Sequence, residues 1–358
     1  MGVMAESADG APARDATVDV AKGLAITLVV LAHMDRGLLA AGLVELGGWT
    51  GRVDVWLYSF FIPLFVFLSG LFVLRSCARA GRRAFLVARV ADLMWLYLVW
   101  SLINGLLQVG FNRFTNADLS PREVFTLWWP LGQMWFLPSL AFATVVVVLL
   151  RPWGSPLRRW VVLGVFLVIA LLSWQTFGVW PLVWLQPELA FFLGLGAALG
   201  HERFAALLGR IRTLALLPLM CVSAAASVGL LAAGASVPTS LVDTPDRLGN
   251  RLAGVGCALA GIVAAVAVSA LIARAVPAVA AGVALLGRRS LPIFVSHTIF
   301  TAGARAMLNL AGLDWIPAYV AIGVLAGLSG PLLLFRLAER FGFSWVYVRP
   351  RMKTHART

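Results

Sequence analysis

Charge, cysteine and histidine are all scarce in this chain of 358 residues. Only 13% of the residues are charged, and there are three cysteines and four histidines. Cys77, Cys221 and Cys257 are far apart, and no His or Cys pair has the short spacing of a metal site. The sequence also has no glycine-rich phosphate loop after a strand and no nucleophile elbow. We therefore expect no metal cofactor and no redox, phosphate-loop or serine-hydrolase chemistry.

Apolar residues make up 61% of the chain, and the mean hydropathy is +0.90. These values indicate an all-α, multi-pass bundle of transmembrane helices. A window of about 20 apolar residues predicts about ten spans, at 20–42, 54–74, 86–109, 124–149, 159–175, 180–200, 213–233, 252–273, 290–309 and 316–337. The apolar run 276–287 is too short to cross and is predicted to be interfacial or half-inserted. We expect a disordered tail over 1–18, one membrane domain over 19–340 and a basic tail over 341–358.

The basic residues alternate between loops, which predicts the orientation of the chain. Most of the 29 Lys and Arg residues fall in the loops on the side of the N-terminus, and cytoplasmic loops are enriched in these residues. Both termini are therefore predicted to be cytoplasmic. This distribution explains the net charge of +13 without a nucleic-acid partner. Two interpretations of the first cytoplasmic loop, which contains Arg75, remain open. Its arginines either only set the topology of the chain or also bind a phosphate-bearing ligand.

Lys22 and His33 are ionisable residues within the first apolar segment. They are three helical turns apart, roughly 16 Å along nearly the same face. A charged Lys is costly at the centre of a bilayer, so Lys22 belongs near one membrane surface and His33 deeper inside. An ionisable residue in a membrane span indicates a functional site, although a buried His can also simply bond between helices.

Several motifs occur in a fixed order along the chain. They are Asp19, Lys22, Gly23 and His33, then the run from Phe60 to Gly70, the run from Arg89 to Trp100, Trp135 to Leu137, Phe191 to Gly194, and Gly287 to His297. In this order they resemble the acyltransferase-3 family of integral membrane O-acyltransferases, especially its sugar O-acetylase branch. Phe61 stands where that branch commonly has His, and Leu96 where it usually has Pro, which leaves the acceptor open.

The resemblance implies transfer of an acyl group, usually acetyl from acetyl-CoA, to a hydroxyl of a carbohydrate or glycolipid. His33 is the candidate general base because a neutral imidazole can take the hydroxyl proton. An acyl-histidine intermediate is the alternative to direct transfer. The expected donor-binding residues are Lys22, Arg75, Arg89 and His297, although His297 is equally well explained by bonding across helices. The donor is an acyl-CoA co-substrate, and the expected location is the inner or plasma membrane of the cell.

Glu188 and two aromatic residues complete the predicted site. Glu188 is expected at the depth of His33, as its orienting partner or as a contact for acceptor hydroxyls, unless it reaches to the outer interface. Trp135 and Phe136 are candidate substrate-binding residues, an aromatic platform for a sugar ring or an acyl chain, with packing as the alternative.

Two other function classes remain open at the level of sequence. Ten helices with buried polar residues are also typical of a transporter or flippase for a glycan or lipid-linked sugar. Transporters commonly contain internal repeats, and the first span has no charged counterpart in the sixth. A non-catalytic membrane partner is the third class, and retention of Lys22 and His33 argues against it. Membrane lipids are expected partners, and the sequence leaves the oligomeric state open.

Overall fold

The computed structural model describes residues 16–111, 119–176 and 179–350, and within these ranges the chain is helical without strands. The longer helices are α1 (Ala16–Ala40), α2 (Gly48–Gly70), α3 (Val73–Ala80), α4 (Arg82–Gly110), α6 (Phe136–Leu150), α7 (Pro156–Ser173), α9 (Leu189–Leu199), α10 (His201–Arg210), α11 (Thr213–Ala232), α12 (Leu248–Ala275), α13 (Pro277–Arg288), α14 (Ser290–Leu310) and α15 (Ile316–Arg340). The short helices are α5 (Pro121–Val124) and α8 (Leu182–Leu185), with 3₁₀ turns at Gly132–Trp135 and Ser344–Val346.

The described residues contain nine helices that are long and apolar enough to cross a membrane. A tenth span is present if α9 and α10, which meet at a bend of 73°, count as one. The all-α, multi-pass bundle predicted from composition is therefore confirmed. The orientation of the termini, and the tail residues 1–15 and 351–358, lie outside what the described residues test.

Two predicted spans begin later than expected. The span predicted over 124–149 starts as a helix only at Gly132, and Gly132 itself has a positive φ of 49°. The span predicted over 180–200 is interrupted after α8, where Gln186 has a φ of 35° and Pro187 follows. A proline disfavours helical backbone at the residue before it, so the continuous helix resumes at α9. Apolar composition alone does not reveal such breaks.

Helix α1 packs against α2, α12, α13, α14 and α15, so its polar residues face the interior of the bundle. The run 276–287, predicted to be interfacial or half-inserted, forms a separate helix, α13, which lies along the first half of α1. The two backbones touch, because a Cβ on Gly23 would overlap the carbonyl oxygen of Val283 and one on Gly287 would overlap that of Asp19. Small residues permit this approach, and the contact fixes the helical turn that carries Lys22.

Helices α2 and α9 approach each other in the same way. A Cβ on Gly70 would overlap the carbonyl oxygen of Leu193, and one on Gly196 would overlap that of Phe67. The Phe60–Gly70 and Phe191–Gly194 motifs therefore form one helix contact. This contact holds α2 in place as a wall of the site described below.

The residues that follow α15 pack onto the bundle. Trp95 and Trp100 of α4 donate indole hydrogen bonds to the carbonyl oxygens of Trp345 and Val346, at 2.7 Å each. Asp92 pairs with Arg349 across 2.9 Å. Residues 341–350, the first part of the predicted basic tail, are thus anchored to α4 by two indole hydrogen bonds and one ion pair. The first helix likewise starts at Ala16, within the predicted N-terminal tail.

Candidate active site

A cavity of about 470 Å³ opens beside α1. Its walls come from α1, α2, α4, the junction of the 3₁₀ turn with α6, the loop before α12, and α14. Among its lining residues are Lys22, His33 and Arg36 of α1. The shared face that the sequence predicted for Lys22 and His33 is therefore the wall of a single cavity.

The His33 ring is held by the backbone of its own helix. Its Nδ1 lies 2.9 Å from the carbonyl oxygen of Val29. A carbonyl oxygen only accepts, so Nδ1 carries the hydrogen and donates it, and the neutral ring then has its lone pair on Nε2. This is the tautomer that a general base needs.

His297 packs directly against His33. The two ring centroids are 4.9 Å apart and the rings meet edge to face at 80°. The Nδ1 of His297 donates to the carbonyl oxygens of Ile293 and Phe294 in its own helix, at 3.1 and 2.8 Å. His297 is fully buried and is not among the residues that line the cavity. Its ring packs against the His33 ring without lining the cavity itself. The sequence did not predict this contact.

The other end of the cavity carries two cations. Lys22 and Arg89 both line it. The Nζ of Lys22 lies 5.0 Å from the centre of the Phe72 ring, and among the described residues no carboxylate forms an ion pair with either cation. The nearby Asp19 instead lies 3.7 Å from Arg288. This end of the cavity is therefore electropositive and suited to a phosphate group.

Arg36 lies beyond His33 and is already neutralised. Its Nε donates to Asp54 at 2.6 Å, and Nη2 donates to the carbonyl oxygen of Thr239, also at 2.6 Å. The guanidinium stacks 3.5 Å from the centre of the Tyr58 ring. Asp54 also accepts from the backbone N–H of Leu241 at 2.8 Å. One ion pair thus fastens the loop between α11 and α12 over this end of the cavity.

Sequence reasoning did not find the Arg36, Asp54 and Tyr58 cluster. Two signals were available: Arg36 follows His33 by three residues and so shares its helix face, and Asp54 opens an otherwise apolar segment. The contribution of the loop residue Thr239 has no local sequence signal, because it depends on how the loop returns across the bundle.

Trp135 and Phe136 both line the cavity, as a sugar or acyl platform would require. Their ring centroids are 6.1 Å apart, and the Phe136 ring also packs 5.2 Å from that of Phe294. Gln133, on the same wall, donates to Thr298 at 2.9 Å. This aromatic surface stands where a 3₁₀ turn passes into α6.

Glu188 and Arg75 do not line this cavity. Glu188 is buried beside a much smaller cavity that shares Tyr58 and Trp135 with the larger one, and it accepts from the Ser173 hydroxyl at 3.4 Å. No contact between described residues joins it to His33, whose orienting partner is the Val29 carbonyl. Glu188 is the residue before α9, and its role as an orienting partner of His33 stays a prediction that no contact between described residues supports. Arg75 lies half-buried on α3, also away from the cavity lining.

In the part of the chain that the structure describes, no group of three or more His, Cys, Asp or Glu side chains could hold a metal ion. The chemistry available at the cavity comes from the His33 imidazole, the three cations Lys22, Arg36 and Arg89, and an aromatic wall. Such a set can bind an anionic donor at one end and remove a proton at the other.

Comparison with known proteins gives two kinds of match. A family model described as an acyltransferase domain matches residues 15–335. Two nodulation proteins called NolL are similar, one from Mesorhizobium japonicum, 26% identical over 44% of this chain and 41% of its own length, and one from Sinorhizobium fredii, 27% identical over 46% and 43%. The chain thus matches less than half the length of these relatives. No solved structure matches.

Proposed function

The chain belongs to the acyltransferase domain family, and on that premise we propose that it transfers an acyl group from cytosolic acyl-CoA to a hydroxyl of a carbohydrate or glycolipid. Acetyl-CoA is the proposed donor. The observation that carries the proposal is one cavity that holds an oriented imidazole and, at its other end, two cations with which no described carboxylate forms an ion pair. The proposed setting is the cell membrane, with both termini in the cytoplasm.

We assign donor binding to the Lys22 and Arg89 end of the cavity. The phosphates of coenzyme A carry negative charge, and two cations without a carboxylate partner among the described residues can receive it. Arg36 is less suited to this role because Asp54 already neutralises it. Lys22 and His33 are roughly 16 Å apart along α1, so an extended pantetheine arm would carry the thioester toward His33.

The transfer step follows from the His33 tautomer. The acceptor hydroxyl oxygen attacks the thioester carbonyl carbon while the Nε2 of His33 takes the hydroxyl proton. The new ester C–O bond forms, the C–S bond breaks, and the proton passes to the departing thiolate to give free coenzyme A. The hydrogen bond from Nδ1 to the Val29 carbonyl stabilises the imidazolium between these events.

Direct transfer and an acyl-histidine intermediate differ in what the protein retains. In direct transfer, donor without acceptor leaves no label on the protein. An acyl-enzyme would keep labelled acyl group on His33 under the same conditions. We propose direct transfer, and hydroxylamine-labile label recovered on a peptide containing His33 would overturn it.

The acceptor is proposed to meet His33 from the aromatic side of the cavity. Trp135 and Phe136 offer flat apolar surfaces of the kind on which sugar rings stack. An acceptor anchored in the membrane, such as a glycolipid, could reach this depth. Glu188 remains a candidate contact for acceptor hydroxyls only through the small adjoining cavity.

The test uses purified full-length protein, radiolabelled acetyl-CoA and a total membrane glycolipid extract, with a His33→Ala preparation as background. We expect the wild-type protein to move label to a lipid or glycan fraction and to release one thiol for each label transferred. The absence of both donor binding and label transfer would contradict the proposal and would favour the transporter class. Hydrolysis of the donor without labelling of an acceptor would contradict the proposal that the acceptor is a carbohydrate or glycolipid.

A further inference from the structure

A second cavity lies between α4 and α14, further along α14 toward its C-terminal end than the cavity that His33 lines. Its volume is about 640 Å³. The cavity exists because Ala302, Gly303 and Ala306, all on its wall, are small, and around Gly303 a side chain would meet open space. We call it the α4–α14 cavity.

The rim of the α4–α14 cavity is apolar and faces outward from the bundle. Phe111, Met307 and Leu310 line it and are 55%, 67% and 72% exposed. In a bilayer such residues contact hydrocarbon. An apolar cavity disfavours water, so a lipid chain is the natural occupant of this space.

One cation stands inside this apolar wall. Arg305 is only 6% exposed, lines the cavity and donates through Nη1 to the carbonyl oxygen of Gly37 at 2.8 Å. No carboxylate forms an ion pair with it among the described residues. A guanidinium at membrane depth is costly without a countercharge, and it matches a phosphate group well because it can donate two parallel hydrogen bonds.

Arg305 also has the depth of a lipid headgroup. It precedes the end of α14 at Leu310 by five residues, about 8 Å along the helix. Gly37, its partner, is close to the end of α1, and Phe111 directly follows α4. The cation therefore sits just inside the membrane face at which α1, α4 and α14 all end.

We propose that the α4–α14 cavity binds an anionic phospholipid, with the phosphate on Arg305 and an acyl chain against the apolar wall. The inner end of the cavity touches the catalytic cavity through a shared wall. Thr298 lines the lipid cavity, accepts from Gln133 of the catalytic cavity and donates to Asn104 at 3.3 Å. The two sites are thus neighbours but distinct.

The test measures retained lipid and needs no transferase activity. The full-length protein is purified in detergent with equal amounts of phosphatidylglycerol and phosphatidylcholine of the same chain length, and bound lipid is read by native mass spectrometry. We expect wild-type protein to retain phosphatidylglycerol with a preference of roughly tenfold, the scale of one charge-assisted contact. Arg305→Gln is expected to lose most of that preference.

Two further variants make the result specific. Arg247→Gln removes an exposed arginine outside the cavity and should keep the wild-type preference. Gly303→Leu fills the cavity and favours the helix, so it should lose bound lipid of both kinds while Arg305 remains. If Arg305→Gln does not fold, Gly303→Leu still tests whether the lipid binds in this cavity.

Three outcomes of the lipid-retention measurements would overturn the proposal. They are equal retention of both lipids by wild-type protein, an unchanged preference in Arg305→Gln, and full lipid retention in Gly303→Leu. Displacement of the bound lipid by soluble glycerol phosphate at equal concentration would indicate a site for a free phosphate instead, and would also overturn it.

Discussion

At the scale of single residues, the distribution of charge along the catalytic cavity determines the roles that we assign. Arg36 has a carboxylate partner, whereas Lys22 and Arg89 have none among the described residues. The uncompensated charge is therefore at the far end of the cavity from the imidazole. This arrangement separates the binding of an anionic donor from the removal of a proton.

Lys22 provides the most direct residue-scale test of donor binding. Lys22→Gln removes one charged contact, and we expect the Kd for acetyl-CoA to rise roughly tenfold. Turnover at saturating donor should change much less, because the residue is far from the reacting atoms. Binding is measured by calorimetry or by equilibrium dialysis with labelled donor.

The matched control is Arg340→Gln, which removes an exposed cation at the end of α15. It should bind donor as tightly as wild-type protein. Equal weakening in both variants would mean that overall charge, and not Lys22, controls donor binding.

His297 separates two roles at the residue scale. Its ring supports His33 and does not line the cavity, so His297→Leu should leave the donor Kd unchanged. Turnover at saturation should fall on the order of ten- to a hundredfold, because the base is less well positioned. Steady-state kinetics with donor and acceptor varied separately measure both quantities. A weaker donor Kd with unchanged turnover would support the donor-channel role predicted from sequence.

The residue pairs differed in how well the sequence could predict them. Lys22 and His33 were placed correctly because both belong to one regular helix, whose geometry fixes the angle between them. The predicted depth of Glu188 assumed a continuous helix from 180, whereas the helix is interrupted at Gln186, and Glu188 lies beside a separate small cavity. The contact of His33 with His297 joins helices far apart in the chain, and no local spacing encodes it.

At the scale of elements, α13 packs closely along the half of α1 that carries Lys22. Length predicted an element too short to cross the membrane there, and the structure has a 12-residue helix at Pro277–Arg288. The glycines of the Gly23 and Gly287 motifs explain why it can lie so close. The sequence showed that both glycines belong to motifs, but it did not show that the two motifs contact each other.

Two glycines of α13 give a matched pair of substitutions. Gly287→Ala places a Cβ onto the carbonyl oxygen of Asp19, and we expect it to destabilise the fold by about 1 to 3 kcal/mol. Gly282→Ala meets open space and should stabilise the helix by up to about 1 kcal/mol. Thermal unfolding in detergent measures both. Equal melting temperatures for the two variants would contradict the close packing of α13 on α1.

At the scale of the whole molecule, binding of a cytosolic donor requires that the Lys22 end of the cavity faces the cytoplasm. The hydropathy and charge of the sequence were enough to predict a multi-pass bundle with about ten spans. They could not show that residues 341–350 pack back onto α4, because that contact depends on two indole hydrogen bonds between residues about 250 positions apart in the chain.

Orientation is tested by labelling single cysteines in a variant that lacks the natural three. Arg340→Cys is predicted to be cytoplasmic and Arg247→Cys to be extracytoplasmic, and both positions are exposed. A membrane-impermeant maleimide should label only Arg247→Cys in intact cells and both variants after permeabilisation. The reverse pattern would place the Lys22 end of the cavity outside the cell and contradict a cytosolic donor.

The central claim is that His33 removes the acceptor proton, and single-turnover transfer tests it most directly. His33→Asn keeps an amide that can donate to the Val29 carbonyl but has no base. With bound acetyl-CoA measured in the same sample, we predict wild-type donor occupancy and a transfer rate lower by about 10²- to 10⁴-fold. Transfer within a few-fold of the wild-type rate, at equal occupancy and equal stability, would contradict the claim.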